Sequence, residues 1–273
     1  MAGDLSVTAL YTSQVWAWGG LAGADLLATV DGKRVFDVTN AALGAASVFK
    51  RDAVPLRYAL LHRHAMIDHL LRGAPTTDVL ELAAGLSRRG AAFSADPVRR
   101  YTEVDLPAVI AKKRELLART DAGVAVLARP NLALVGADVE TAALGTWRTP
   151  GAPLFVIAEG LMVYLQAPAQ RQLWAKVAAL GNVRFVFDLV PWCEQPPPGA
   201  VGAALDKAMK RFTGGRGFER DTRTRADMRA ELLAAGFAKV DVHDSAELAR
   251  VWNLPYPEKR TGQVIFDCTA PVT

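Results

Sequence analysis

The sequence predicts an α/β protein in which a largely parallel sheet is covered by helices on both faces. Three observations carry that reading. Short apolar runs of strand length recur from residue 78 onward. Segments with apolar residues three and four apart lie between them. The last two runs lie close together in the chain, so one of them is expected to enter antiparallel.

The elements follow in order. Residues 1–50 are rich in alanine and glycine, carry Tyr11, Trp16 and Trp18, and show weak helical periodicity. PLRYALLHRHAMIDHLLRG (55–73) places Leu56, Leu60, Leu61, Ile67, Leu70 and Leu71 on one helical face and closes on Gly73. DVLEL (78–82) is a short buried-type strand, followed by strands at RYTEV (100–104), NLALVGAD (131–138), PLFVIAE (153–159) and VRFVFDLV (183–190). Helices are expected at 106–120, 167–180 and 224–237, the last with a threonine start and a glycine stop. KVDVHD (239–244) and QVIFDC (263–268) supply the final strands. The proline and glycine content of 193–202 and 212–221 marks loops. No linker separates two domains, so residues 1–273 are expected to form one domain, with a helical region at 1–73 and the sheet core at 74–273.

Bulk composition narrows the function classes. Apolar residues make up 51% and charged residues 22%, and 32 cations against 28 anions leave a net charge of +4, too balanced to indicate obligatory nucleic-acid binding. Cys193 and Cys268 have neither disulfide nor metal-ligand spacing, so reduced thiols in a cytoplasmic protein and no metal are expected. The first twenty residues do not read as a signal peptide, and no apolar run reaches the roughly 20 residues of a membrane span.

In such sheets ligands bind beyond the C-terminal strand ends, where strand order reverses. The turn after the first strand, ELAAGLSRRG (81–90), has small residues at Ala83, Ala84 and Gly85 that let a ligand approach the backbone. Glu81, Ala83, Gly85 and Ser87 are its candidate cofactor contacts. The second strand ends in Glu103 and Asp105, carboxylates able to accept from ribose hydroxyls; Asp105 before Leu106-Pro107 also reads as a helix cap. Asp138, ending the third strand, can accept from an adenine amino group or cap the next segment. Glu159, after five apolar residues and before Gly160, points into the crevice and calls for a cationic partner, an arginine or a sulfonium. A nicotinamide-dinucleotide turn would need glycines where Ala83 and Arg88 stand, which makes an oxidoreductase the runner-up.

At these residues the chain resembles the leucine carboxyl methyltransferase family, specifically its bacterial polyketide O-methyltransferase-like branch. The matching pieces are SVTALYTSQVWAW, RHAMID (63–68), VLELAAGLSRRG, YTEVDLPAVIAKK, VGADV (135–139) and FVIAEGLMVYL, spread across residues 6–190. The most specific are EVDLP with its following lysine pair, and AEGLMVYL. The resemblance implies a class I methyltransferase fold, Rossmann-like, with seven strands, the last antiparallel, and an N-terminal helical lid. It also implies S-adenosylmethionine (SAM) as cofactor and methyl transfer to an oxygen of a small acceptor. By family position Arg63 would bind the SAM carboxylate, Gly85 would line the turn under the methionine portion, Asp105 would hold the ribose, and Asp138 with Val139 the adenine. Glu159 would face the reacting end, with Tyr164 close behind.

Two departures stand out. Where the family usually has glycine and an acidic residue in this turn, the chain has Ala83 and Ser87. Alanine gives up easy access to positive φ, so a member with lost catalysis is the alternative. A carboxylate acceptor needs no base, whereas a phenol or enol benefits from one. The candidates are His62 and His64 beside Arg63, then Tyr11 and Tyr164. Trp16 and Trp18 are candidates to line an acceptor pocket. The basic stretch 207–225, diluted by Asp and Glu, reads as a solvated loop rather than an RNA contact.

Overall fold

The computed structural model describes residues 7–47, 54–194, 219 and 221–272. Apart from their ends, the loops expected at 193–202 and 212–221 and the basic stretch 207–225 lie outside the described residues. Five strands, β1 (Asp78–Leu82), β2 (Arg100–Asp105), β3 (Leu132–Gly136), β4 (Leu154–Ala158) and β5 (Val183–Asp188), run parallel. With β6 (Lys239–Asp244) and β7 (Val264–Ala270) they form one seven-stranded sheet in the order β3-β2-β1-β4-β5-β7-β6. β7 is antiparallel to both neighbours, as expected. Order reverses between β1 and β4, the place over whose strand ends ligands bind in sheets of this kind.

Strands β1 and β4 are buried at every position, the pattern of central strands covered on both sides. One face carries Leu80, Leu82, Val156, Ala158, Phe185, Phe187 and Phe266, packed against α7 (Ala167–Ala178) and α8 (Arg225–Ala234). On the other face Val79, Tyr101, Phe155, Ile157, Val186 and Ile265 lie under Met66, Ile67, Leu70 and Leu71 of α3 (Leu56–Arg72). α1 (Val7–Trp18) and α2 (Val30–Ser47) pack on each other, and Tyr11, Val15 and Trp16 of α1 meet Leu61 of α3. α3 therefore belongs to two layers: it covers the sheet and it carries the other N-terminal helices.

Most boundaries move by one to three residues from the sequence expectation. The helix expected over 106–120 divides. α5 (Pro107–Leu117) ends, and Thr120 then starts α6 (Asp121–Leu127) by accepting from the Gly123 N–H. A Cβ on Gly123 would lie 1.9 Å from the Leu117 carbonyl oxygen, so the tight turn depends on glycine there. Thr224 caps α8 reciprocally with Asp227, the threonine start read from sequence.

Candidate active site

The turn after β1 leaves the strand through Ala83, at φ +52°, and passes Gly85, at φ +49°. Residue 83 thus holds a left-handed conformation as an alanine, at a cost of roughly 1–2 kcal/mol for an L-residue. Open space lies where a Gly85 Cβ would stand, so the backbone there is bare to the crevice. Ser87 is different: it is buried, and its Oγ accepts weakly, at 3.3 Å, from the Arg89 N–H. It supports the start of α4 (Arg89–Phe93) rather than lining the crevice.

Asp105 joins the ends of β1 and β2. Its Oδ2 accepts from the Gly85 N–H at 2.6 Å and its Oδ1 from the Leu106 N–H at 2.7 Å. Burial pushes its carboxyl up from the usual range, and the two amides work against that. Each oxygen retains a second lone pair for a hydroxyl donor. The cap and ligand readings of this residue are therefore compatible.

Glu81 and Glu103 do not share that access. They sit opposite one another in the β1–β2 register and are 1% and 0% exposed. Glu81 accepts from Arg89 Nη1 at 2.9 Å and from the Tyr101 hydroxyl at 2.7 Å. Glu103 accepts from the Gly90 N–H at 3.0 Å and pairs with Lys113 of α5. The sequence placed both among cofactor contacts; in the structure their oxygens are taken by buried internal partners instead. Two residues beyond β3, Asp138 is exposed and accepts from the Glu140 N–H at 2.9 Å, while Val139 is buried beside it.

Glu159, just beyond β4, has three cationic or donor partners. Arg63 Nε donates to Oε1 at 2.9 Å; His64 Nδ1 at 2.8 Å and Arg89 Nη1 at 2.6 Å reach Oε2. Burial opposes ionisation here, but Arg89, His64 and Arg63 outweigh it and hold the carboxyl well below its ordinary value. The partner expected from sequence is thus present as arginine. Arg63 Nη1 also donates to Asp188, at the end of β5, at 3.2 Å. Burial and the nearby Glu159 push the Asp188 carboxyl up against the pull of Arg63. Arg63 Nη2 makes no hydrogen bond within the described residues, and the side chain keeps 12% exposure at the mouth. Gly160, at φ +69°, leaves that guanidinium uncovered, since a Cβ there would stand 3.4 Å from it.

The histidines expected as bases are not available as bases. The His64 ring accepts from Arg88 Nε at 3.1 Å through Nε2, which leaves the proton on Nδ1 facing Glu159. Burial and the charge of Arg89 hold this histidine well below its usual value, so it is neutral. His62 is buried, with Nε2 donating to the Pro255 carbonyl at 2.8 Å and Nδ1 3.0 Å from the Thr261 hydroxyl. His69 stacks on Trp252, and His243 pairs with Asp267, both away from the crevice. The Tyr11 hydroxyl turns to Asn40. Tyr164 hydrogen-bonds the Thr8 side chain, and burial raises its hydroxyl pKa, so it stays protonated at neutral pH. Trp16 packs on the His64 ring at 4.4 Å and Trp18 stacks on Tyr256, so neither reads as an open acceptor wall.

Residues that sequence reasoning missed complete the cluster. Asp68 accepts from Arg89 Nε at 2.7 Å and pairs with Arg88; Arg88 also donates to the Ala22 carbonyl at 3.1 Å, tying the turn to the N-terminal region. Asp68 lies one helical turn after His64, and Asp188 ends a strand as Glu159 does. Those were the available signals. Among the described residues no group of three or more His, Cys, Asp or Glu side chains could hold a metal ion, and no helix is long and apolar enough to cross a membrane.

The leucine carboxyl methyltransferase family profile matches residues 22–178, more than half of the chain. The chain belongs to the leucine carboxyl methyltransferase family. A relative from Mycolicibacterium paratuberculosis (strain ATCC BAA-968 / K-10), assigned as an S-adenosyl-L-methionine-dependent methyltransferase, is 35% identical over 109 residues. That match takes in 40% of this family member and only 36% of the relative's length. A solved structure from Thermobifida fusca YX, assigned as a methyltransferase, superposes with a TM-score of 0.58 at 14% identity, covering 96% of this chain and 94% of that one. PigF, solved with S-adenosylhomocysteine (SAH), superposes with a TM-score of 0.52 at 15% identity over 97% of this chain and 63% of its own. At these identities the likeness is one of fold: the seven-stranded class I methyltransferase sheet.

Two outcomes follow for the family member's site. Ala83→Gly relieves the left-handed strain, partly offset by glycine's greater chain entropy, and should raise the calorimetric Tm by about 2 °C; a fall would contradict the φ of residue 83. Glu159→Ala leaves buried Arg63 and Arg89 without their shared carboxylate and should destabilise by about 3–5 kcal/mol in urea titration. The wild-type contribution of Glu159 is complete above the ordinary carboxyl value of 4.5 and is lost as pH falls through its lower folded value. The difference between the two proteins should therefore shrink in strong acid and stay constant from pH 5 to 8.

Proposed function

We propose that the chain is a SAM-dependent O-methyltransferase acting on a carboxylate or hydroxyl of a small, polyketide-like acceptor. The observation that carries this reading is the Asp105 carboxylate, fastened to the bare Gly85 turn where strand order reverses. A dihydroxy sugar presented there meets two acceptor oxygens with spare lone pairs. Asp138 and Val139 lie at the end of the adjacent strand, suited to a purine edge and face. At the other end Arg63 offers free N–H donors to a carboxylate.

Charge supports the same cofactor. With His64 neutral and Glu103 paired with Lys113, the carboxylates Asp68, Glu81, Asp105, Glu159 and Asp188 stand against only the cations Arg63, Arg88 and Arg89. A ligand carrying an ammonium, a sulfonium and a carboxylate is complementary to that balance. SAM supplies an activated methyl group on sulfonium. The chain's own residues orient the ligand and hold Glu159 ionised.

No described histidine or tyrosine is free to take a proton at the mouth. The arrangement therefore favours an acceptor already anionic at neutral pH, a carboxylate giving a methyl ester, over a hydroxyl. The second reading, a SAM-binding protein without turnover, is favoured by the strained Ala83 and the loss of an acidic residue at Ser87. An NAD(P)-linked oxidoreductase has no comparable support, since the turn lacks the glycines it needs.

Isothermal titration with SAH tests the reading. One-to-one saturable binding is expected, weakened about 100-fold in Asp105→Ala as two charge-assisted hydrogen bonds are lost. Heat from NADH but not from SAH would overturn it. SAH binding without transfer from labelled SAM to any of a panel of carboxylic acids and phenols would select the non-catalytic reading.

A further inference from the structure

Of the lysine pair after EVDLP, the second member is among the most buried side chains of the protein. Lys113 is 1% exposed, and its partner Glu103 is 0% exposed. Apart from that ion pair, the ammonium makes no hydrogen bond within the described residues, and neither does Glu103 Oε2. Such a pair is poorly compensated for its lost hydration, and apolar side chains of similar volume would hold α5 against β2 as well or better. Packing does not account for a lysine at this position.

Position does. Glu103 and Asp105 are two residues apart on β2 and so project to the same face. α5 begins immediately after them, and Lys113 returns along that helix to the strand beneath Asp105. We infer that Lys113 is a positioning residue for the nucleoside end of the site, its buried ammonium keeping Asp105 in the ionised form that accepts hydroxyl donors. The inference rests on Asp105 as the ribose partner.

The groups facing Asp105 show why it needs such help. β1 contributes the like charge of Glu81, and its turn contributes the Gly85 N–H. α5 contributes the Leu106 N–H at its cap and the ammonium of Lys113. β3 brings backbone at Gly136 and Ala137. Lys113 is thus the full positive charge set against burial and Glu81. A protonated Asp105 would turn one acceptor oxygen into a donor and lose its fit to both the turn amides and a diol. Glu103 does not cancel the ammonium in acid: burial pushes its carboxyl up to about 7 despite the pull of Lys113.

The test is SAH affinity by titration calorimetry from pH 5 to 8.5 in wild type, Lys113→Met, Lys113→Arg and Glu103→Gln. Lys113→Met should move the acid limb of binding upward by about one pH unit, with affinity returning toward wild type at pH 8.5. Lys113→Arg should keep the wild-type limb. Glu103→Gln breaks the same ion pair but leaves the charge, so its limb should stay in place. A purely structural bridge predicts the reverse: Lys113→Met and Glu103→Gln would weaken binding equally at every pH, and that result overturns the inference. Should Lys113→Met fail to fold, an upward-shifted limb in Glu103→Gln overturns it alone. Failure of the wild type to bind SAH at any pH overturns the cofactor reading and this inference together, a result distinct from binding without the shift.

Discussion

Carboxylates buried side by side at the mouth of a parallel sheet repel one another and resist desolvation, so the surrounding elements must bring positive charge to them. Here Glu103, Glu81, Glu159 and Asp188 come from β2, β1, the end of β4 and β5, neighbours in the sheet order. Lys113, Arg89 and Arg63 answer them from α5, α4 and α3. Three separate helices are thereby fixed to four strands by charge as well as by apolar packing. Removing either sign from this set leaves the other uncompensated in a low-dielectric interior, which is far costlier than the pair is stabilising.

That network also sets the chemistry. Glu159 is held ionised, His64 neutral and Tyr164 protonated, each by its neighbours rather than by its own intrinsic tendency. A site so arranged binds and orients, and it has little capacity to accept a proton. Methyl transfer is well matched to this, since in-line displacement gains most from alignment and exclusion of water. The Arg88 bond to the Ala22 carbonyl and the Tyr164 bond to Thr8 extend the same set of contacts to the N-terminal helices. The placement of the N-terminal region and the protonation states within the cluster therefore depend on shared residues.

The turn after β1 shows how far a local substitution is tolerated. Ala83 keeps a glycine-like φ because Asp105 grips Gly85 two residues on and β1 is fixed by pairing on both sides. The strain is borne by the surrounding structure, as residues in sparsely populated conformations at functional sites commonly require. Ser87, in contrast, faces inward and accepts from the Arg89 N–H, at the start of α4 rather than on the turn's open side.

Apolar runs and turn residues are local signals, and they were enough to read the order and type of the strands, the antiparallel last strand and the carboxylates at or just beyond the ends of β2, β3 and β4. The sequence also marked Arg63 and Gly85 through the resemblance of their motifs. The break between α5 and α6 escaped it, since a glycine inside an otherwise helical run becomes decisive only when a neighbouring carbonyl lies 1.9 Å from where its Cβ would be. Only the tertiary structure separated Asp105, half-buried and held by two backbone amides, from Glu81 and Glu103, fully buried on internal partners, which a strand pattern assigns to the same crevice. It alone placed Asp68, Asp188 and Lys113 in the cluster and withdrew His62 and His64 from the list of bases. The physical reason is common to all of these: whether a polar side chain serves a ligand or the fold depends on which donors and charges surround it in space, and residues as distant in the chain as Arg63 and Asp188 meet only when the sheet has formed.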